Sequence, residues 1–171
     1  EFTGSKHAFT CANGTDALSI VLMAWDIGPG DAVFVPSFTY IATAEAPAQL
    51  GATPFFVDVD KETLGLSPSL LKKHLSEIAE VKNGVCYNKT TGKRIAACVP
   101  MHTFGLPMYI DELVNVCNEF NIPVVEDAAE SLGSYYKEQH TGTFGLLGTF
   151  SFNGNKTITC GGGGAIITDD D

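Results

Sequence analysis

The chain has 171 residues, which is the length of one domain and enough to bury a hydrophobic core. Its 44% hydrophobic and 18% charged residues are typical of a globular protein and exclude a disordered one. The net charge of −10, from 20 acidic and 10 basic residues, argues against binding to nucleic acid or to an anionic membrane.

Short apolar runs alternate with amphipathic stretches along the chain. In order, they predict a strand at 7–11, a helix at 15–26, a strand at 32–36, a helix at 40–50, a strand at 53–57 and a helix that begins at Pro68 after a Ser67 N-cap. Residues 82–94 are polar and interrupt the alternation, and we expect a surface hairpin there. The alternation resumes with a strand at 95–100, a helix at 108–120 and strands at 123–126, 149–152 and 165–168. The pattern predicts an α/β fold of three layers, with a mostly parallel sheet covered by helices on both faces.

Residue counts add further expectations. The number of cysteines, five, is odd, and no two of them form a C-x-x-C motif. Both features predict reduced thiols in a cytoplasmic protein. One of the ten basic residues is an arginine, Arg94, in the predicted hairpin, so we expect part of the cationic grip on an anionic substrate to lie outside these residues. The four histidines are dispersed, and no metal site is predicted. The chain starts without Met close to its first strand and stops just after its last one, which predicts a fragment.

Ligands of parallel α/β sheets bind at the carboxyl ends of the strands, and the first such end carries Asn13-Gly14-Thr15-Asp16. This tetrapeptide follows a strand and opens a helix, where free backbone N–H groups favour phosphate binding. From these four residues alone, a plain helix N-cap is the commoner interpretation.

Other strand ends carry candidate side chains. Asp127 either meets a cationic ring nitrogen or caps the next helix, and the two interpretations are about even. Lys156 lies in a Gly/Asn-rich turn between apolar strands, which favours amine chemistry over a solvated surface charge. Ser151 is a candidate phosphate contact, Tyr40 is either a stacking partner for a flat cofactor or a core residue, and His102 is expected to face the same cleft.

Five stretches in series resemble one known family. They are NGTDAL at 13–18, VPSFTYIAT at 35–43, FFVDVD at 55–60, VEDAAES at 125–131 and SFNGNKTIT at 151–159. Together they resemble the fold-type I pyridoxal phosphate (PLP) sugar aminotransferases of the DegT/StrS group, in order and over nearly the whole chain.

The resemblance implies a role for each matching residue. Lys156 would carry PLP as a Schiff base, Asp127 would pair with the pyridinium nitrogen and Tyr40 would stack on the ring. Glu130 would lie near the ring hydroxyl, at a position where the family commonly has Gln or His. The residues matching the phosphate-binding positions are Gly14, Thr15, Asp16 and Ser151.

Three segments, 84–94, 100–105 and 152–156, further resemble aminotransferases of legionaminic-acid-type sugar pathways. This implies transamination of a UDP-linked 4-keto-6-deoxy-N-acetylhexosamine with L-glutamate as amino donor, giving a 4-amino-sugar for surface polysaccharide or nonulosonic acid synthesis. The family also implies that residues 1–171 form an incomplete large PLP-binding domain, that a small C-terminal domain lies outside the chain, and that the full-length protein is a homodimer.

Three alternatives stay open to different degrees. The family's sugar 3-dehydratases have histidine where Lys156 stands, which argues against that activity. A nucleotide-binding doubly wound domain is disfavoured because the G-x-G-x-x-G fingerprint is missing. Nothing in the sequence separates an enzyme from a PLP-binding regulatory protein without turnover.

Overall fold

A computed structural model describes all 171 residues. The eleven strands are β1 (His7–Cys11), β2 (Asp31–Pro36), β3 (Thr53–Val57), β4 (Ala79–Lys82), β5 (Val85–Asn88), β6 (Arg94–Cys98), β7 (Val125–Asp127), β8 (Tyr135–Tyr136), β9 (Gln139–His140), β10 (Leu147–Ser151) and β11 (Gly164–Thr168). The four α-helices are α1 (Gly14–Ala24), α2 (Ile41–Gln49), α3 (Pro68–Ile78) and α4 (Ile110–Glu119). None of these helices has the length and apolar character that a membrane span requires.

The central sheet has the strand order β3-β2-β6-β7-β10-β11-β1. Its two halves join where the segment at the end of β6 meets β7: the Cys98 N–H donates to the Pro123 carbonyl at 2.9 Å and the Asp127 N–H donates to the Pro100 carbonyl at 2.8 Å. Six of the seven strands in this row run in the same direction, and β11 alone runs opposite to them. The predicted mostly parallel sheet is therefore confirmed.

Helices cover both faces of the sheet. Along β2, the side chains of Val33 and Val35 pack in a core with those of α1 and α2, whereas Phe34 packs in a second core with those of α3 and α4. Successive side chains of a strand point to opposite faces, so a continuous apolar strand must be covered on both sides. The predicted three-layer arrangement is confirmed.

The segment predicted as a surface hairpin at 82–94 has two turns, because β5 pairs antiparallel with β4 and with β6. The first turn, between β4 and β5, lies at Asn83 and Gly84, and β4 begins directly at the end of α3. Both turn residues have positive φ, 52° and 80°, which suits the Asn-Gly pair of a tight hairpin. Arg94 opens β6, where it pairs with Tyr87 of β5 across the turn that contains Gly92 (φ 72°), and it makes two hydrogen bonds, of 2.8 and 2.6 Å, to the carboxylate of Asp31.

Candidate active site

A cavity of about 240 Å³ opens at the carboxyl ends of β1, β7 and β10. Seven of the eight predicted cofactor-binding residues line it: Gly14, Thr15, Tyr40, Asp127, Glu130, Ser151 and Lys156. These residues come from four separate segments of the chain, so the parallel strand order brings them together. Asp16, the eighth, is not among the lining residues.

One end of the cavity is formed by the start of α1 against β10. Asn13 caps α1: its side-chain oxygen accepts from the Asp16 N–H at 2.8 Å, and its side-chain N–H donates to the Asp16 carboxylate at 2.9 Å. A Cβ at Gly14 would lie 2.8 Å from the Cβ of Ser151, so only glycine allows the helix to begin this close to the strand. The unpaired N–H groups of a first helical turn thus lie beside the Ser151 hydroxyl, an arrangement that suits a phosphate.

Asp127 ends β7 at the floor of the cavity and is 3% exposed. Its carboxylate accepts a hydrogen bond from the Thr43 hydroxyl at 2.7 Å and one from the Ala129 N–H at 3.2 Å. Burial raises the pKa of Asp127 above its ordinary value, against the opposing effects of these hydrogen bonds and of Lys156 and His102. A buried carboxylate without a salt bridge suits a cationic partner that comes from a ligand.

Lys156 lies in the loop after β10, where its N–H donates to the Asn153 carbonyl at 3.0 Å. Its side chain is 12% exposed, and Nζ lies 3.2 Å from a carboxylate oxygen of Glu130 and 5.8 Å from the centre of the Tyr40 ring. Tyr40 itself is 64% exposed, which rules out the alternative of core packing for its ring. A largely buried amine and an open aromatic face therefore meet at one wall of the cavity.

Glu130 bridges Lys156 to a strained residue at the cavity mouth. One carboxylate oxygen contacts Lys156, and the other accepts from the Phe104 N–H at 3.0 Å. Phe104 has a φ of 55° and is 71% exposed, two features that are uncommon for a large apolar residue. The glutamate thus ties the lysine to the loop that follows β6.

The expectation for His102 was wrong, and one residue was missed. His102 is fully buried away from the cavity, with Nε2 2.9 Å from a carboxylate oxygen of Glu126. Thr43, which holds Asp127, was not singled out. The only signal in the sequence is its spacing of three residues from Tyr40 at the start of a helix, which puts both residues on one helical face.

Comparisons with known proteins agree with this geometry. The family described as the DegT/DnrJ/EryC1/StrS aminotransferase family matches residues 1–171. The chain is 40% identical over 172 residues to a UDP-2-acetamido-2-deoxy-3-oxo-D-glucuronate aminotransferase of Pseudomonas aeruginosa, covering 100% of this chain and 44% of that protein. It is 41% identical over 171 residues to a GDP-perosamine synthase of Caulobacter vibrioides, covering 100% of this chain and 42% of that protein.

Among solved structures, a DegT DnrJ EryC1 StrS aminotransferase from Brucella abortus superimposes with a TM-score of 0.88 at 36% identity, over 99% of this chain and 43% of that one. The chain thus spans less than half the length of the relatives it matches. The chain belongs to the DegT/DnrJ/EryC1/StrS aminotransferase family, whose cofactor is pyridoxal phosphate.

Proposed function

We propose that the full-length protein transfers the amino group of L-glutamate to the keto carbon of a nucleotide-linked sugar. The observation that carries this proposal is the cavity itself, in which the Lys156 amine, the buried Asp127 carboxylate and the start of α1 at Gly14 beside Ser151 lie together. The names of the two relatives, a UDP-sugar aminotransferase and a GDP-perosamine synthase, support a nucleotide sugar as substrate class.

The residues of the cavity fit the family's cofactor. Lys156 would hold it covalently through Nζ, and Asp127 would keep the proton on its ring nitrogen. The N–H groups of Gly14 and Thr15 and the Ser151 hydroxyl would bind its phosphate. Asp16 would contribute through the N-cap of α1, because its side chain is directed to Asn13. When bound, pyridoxal phosphate withdraws electrons from the amino donor, which makes the proton on the donor's Cα removable.

The side chains of this chain would then handle the proton. The Nζ of Lys156 would act as the base that takes the proton from the donor's Cα and as the acid that returns it. The exposed ring of Tyr40 would cover one face of the reacting system. Glu130, which contacts Nζ at 3.2 Å, would hold that amine on the correct side of the cavity.

Anionic substrates need a cationic grip that this chain does not supply. Arg94, its single arginine, is engaged by the Asp31 carboxylate and by the Asp26 carbonyl. The net charge of −10 repels a glutamate and a sugar diphosphate. We therefore propose that a C-terminal region and the second subunit of a homodimer provide the cationic residues. In consequence, residues 1–171 alone would bind PLP weakly and would not turn over.

The finer assignment rests on the sequence resemblance given above. We propose a UDP-linked 4-keto-6-deoxy-N-acetylhexosamine of the legionaminic-acid type as the acceptor and a 4-amino-sugar as the product. We also propose a cytoplasmic location, because all five cysteines are unpaired, as is usual in a reducing compartment.

One experiment separates this proposal from its alternatives. Full-length protein, loaded with PLP, is incubated with a panel of amino donors and of UDP- and GDP-linked 4-keto-sugars, and products are identified by mass. We expect glutamate to bleach the absorption band of lysine-bound PLP and the UDP-linked 4-keto-6-deoxy-N-acetyl sugar to be aminated. A band that no amino donor bleaches would support a regulatory protein, and amination of the GDP-sugar alone would overturn the substrate assignment.

A further inference from the structure

The strongest contact to Asp127 comes from a helix on one face of the sheet. Thr43, in α2, is fully buried, and its hydroxyl oxygen lies 2.7 Å from a carboxylate oxygen of Asp127, 84 residues away in sequence. Thr39 in turn donates its hydroxyl proton to the Thr43 oxygen at 2.8 Å. Because an ionised carboxylate can only accept, Thr43 must use its one proton for Asp127. Thr39 and Thr43 are thus two successive donors in a hydrogen-bond chain that ends on the Asp127 carboxylate.

This hydrogen bond opposes the effect of burial on Asp127. Burial is the largest influence and raises the pKa of the carboxyl, whereas the Thr43 hydroxyl lowers it by stabilising the charged form. The Ala129 N–H acts in the same direction at the longer distance of 3.2 Å. The charged groups that act on Asp127 from other elements are Lys156 and His102. Glu130 and Tyr40, the other titratable groups, line the same cavity.

We propose that Thr43 is a positioning residue, which keeps the Asp127 carboxylate ionised and oriented so that it can hold the proton of the cofactor's ring nitrogen. The inference rests on the proposed function for its consequence in catalysis. The effect of Thr43 on the ionisation of Asp127 can also be measured in the protein without cofactor. A purely structural role, in which Thr43 only ties α2 to β7, would leave that ionisation unchanged.

The test uses full-length protein with Thr43→Val, which keeps the shape of the side chain and removes the hydroxyl. Thr43→Ser restores the hydroxyl. Thr149→Val is the matched control, because Thr149 is 1% exposed and its hydroxyl donates to the Glu126 carbonyl at 3.2 Å rather than to a carboxylate. If Thr43→Val does not fold, Thr39→Val removes the preceding donor at a half-buried position and should have a smaller effect of the same sign.

The first readout needs no cofactor. The infrared band of the protonated Asp127 carboxyl is identified by its absence in Asp127→Asn and followed against pH. We expect the band to persist to higher pH in Thr43→Val than in the wild type, and to be unchanged in Thr43→Ser and Thr149→Val. Equal pH dependence in the wild type and in both Thr43→Val and Thr39→Val would overturn the inference.

The second readout uses protein loaded with PLP. We expect kcat of Thr43→Val to fall about tenfold or more, with a smaller change in KM for the amino donor, and the pH at which the cofactor spectrum changes to rise. Rescue by Thr43→Ser is expected. A loss of thermal stability equal to that of Thr149→Val, without any spectral change, would show a structural role only. If wild-type protein binds no PLP, the proposed function fails, and the infrared result still decides the role of Thr43.

Discussion

Glu126 and Asp127 are adjacent carboxylates at the end of β7, both buried, yet their surroundings differ. Glu126 accepts four hydrogen bonds, from His102 Nε2 at 2.9 Å and from the backbone N–H groups of Gly142, Phe144 and Gly145 at 2.7, 2.6 and 2.6 Å. Asp127 accepts two, and its remaining capacity faces the cavity. Neighbouring carboxylates on opposite faces of one strand thus have different numbers of partners.

The difference separates a scaffold from a site. A buried carboxylate that is fully hydrogen-bonded holds segments of the chain together, and here Glu126 fixes the loop at 142–145 to the segment at His102. A buried carboxylate with unused capacity costs folding free energy unless a cation arrives. We infer that Asp127 is available to a cationic ligand and that Glu126 stabilises the surrounding scaffold.

Among substitutions of residues that line the cavity, removal of the Lys156 amine should have the largest effect on PLP binding and turnover. We expect Lys156→Ala to abolish the absorption band of bound PLP and to reduce turnover by about 10³-fold or more, because both the covalent link and the base are lost. The loop position predicts a small change in thermal stability. Lys137→Ala is the control, since Lys137 is 65% exposed and pairs with Asp111 on the surface. Turnover above a tenth of the wild-type rate in Lys156→Ala would contradict the assignment.

The second-largest loss of rate should follow from neutralising the Asp127 carboxylate. Asp127→Asn removes the charge that keeps the ring nitrogen protonated, and we expect the rate to fall by roughly 10²-fold or more while part of the PLP binding is retained. Single-turnover kinetics with glutamate would measure the loss. A near-wild-type rate would mean that Asp127 serves only as a cap for the following turn.

The equivalent substitution of the neighbouring carboxylate, Glu126→Gln, should lower folding stability rather than the catalytic rate. In Glu126→Gln, an amide N–H replaces an acceptor, so buried N–H groups lose their partner, and we expect a destabilisation of about 3–5 kcal/mol. Urea unfolding of the cofactor-free protein checks this. A cost below about 1 kcal/mol, within the range of ordinary surface substitutions and weak hydrogen bonds, would remove the distinction between the two carboxylates.

The smallest expected effect is a gain in the folding stability of Asp127→Asn at neutral pH. The folded-state pKa of Asp127 is raised above its unfolded value, so the stability linked to this group is present at acid pH and is lost as the pH rises through the folded pKa. Asparagine does not ionise. Cofactor-free Asp127→Asn should therefore be more stable than the wild type at neutral pH, with a difference that shrinks on acidification. Thermal unfolding as a function of pH tests the sign, and a destabilised variant at neutral pH would refute it.

Much of the fold follows from local patterns in the sequence. The bounds of β1 and β3 agree with their predicted ranges because each is a short run between turn residues. The start of β4 was not predictable in this way, since Ala79 follows Ile78 of α3 without any helix-breaking residue between them. The two-residue strands β8 and β9 are too short to leave a periodic signal.

The site was predictable where a residue lies at the carboxyl end of a strand, as Asp127 and Ser151 do. Thr43 was not, because its contact to Asp127 depends on the strand order and spans 84 residues. His102 was misplaced by one step of the strand period: Met101 lines the cavity, and the next side chain of an extended segment faces the other way.

The most direct test of the account is to map the lysine that captures the cofactor. Full-length protein is incubated with PLP, reduced with borohydride and digested, and the pyridoxyl group is located by mass spectrometry among the nine lysines of this region and any others. The geometry predicts the label on Lys156, the lysine whose Nζ shares a cavity with Asp127, and no label in Lys156→Ala. A label on another lysine, or one retained in Lys156→Ala, would contradict the account.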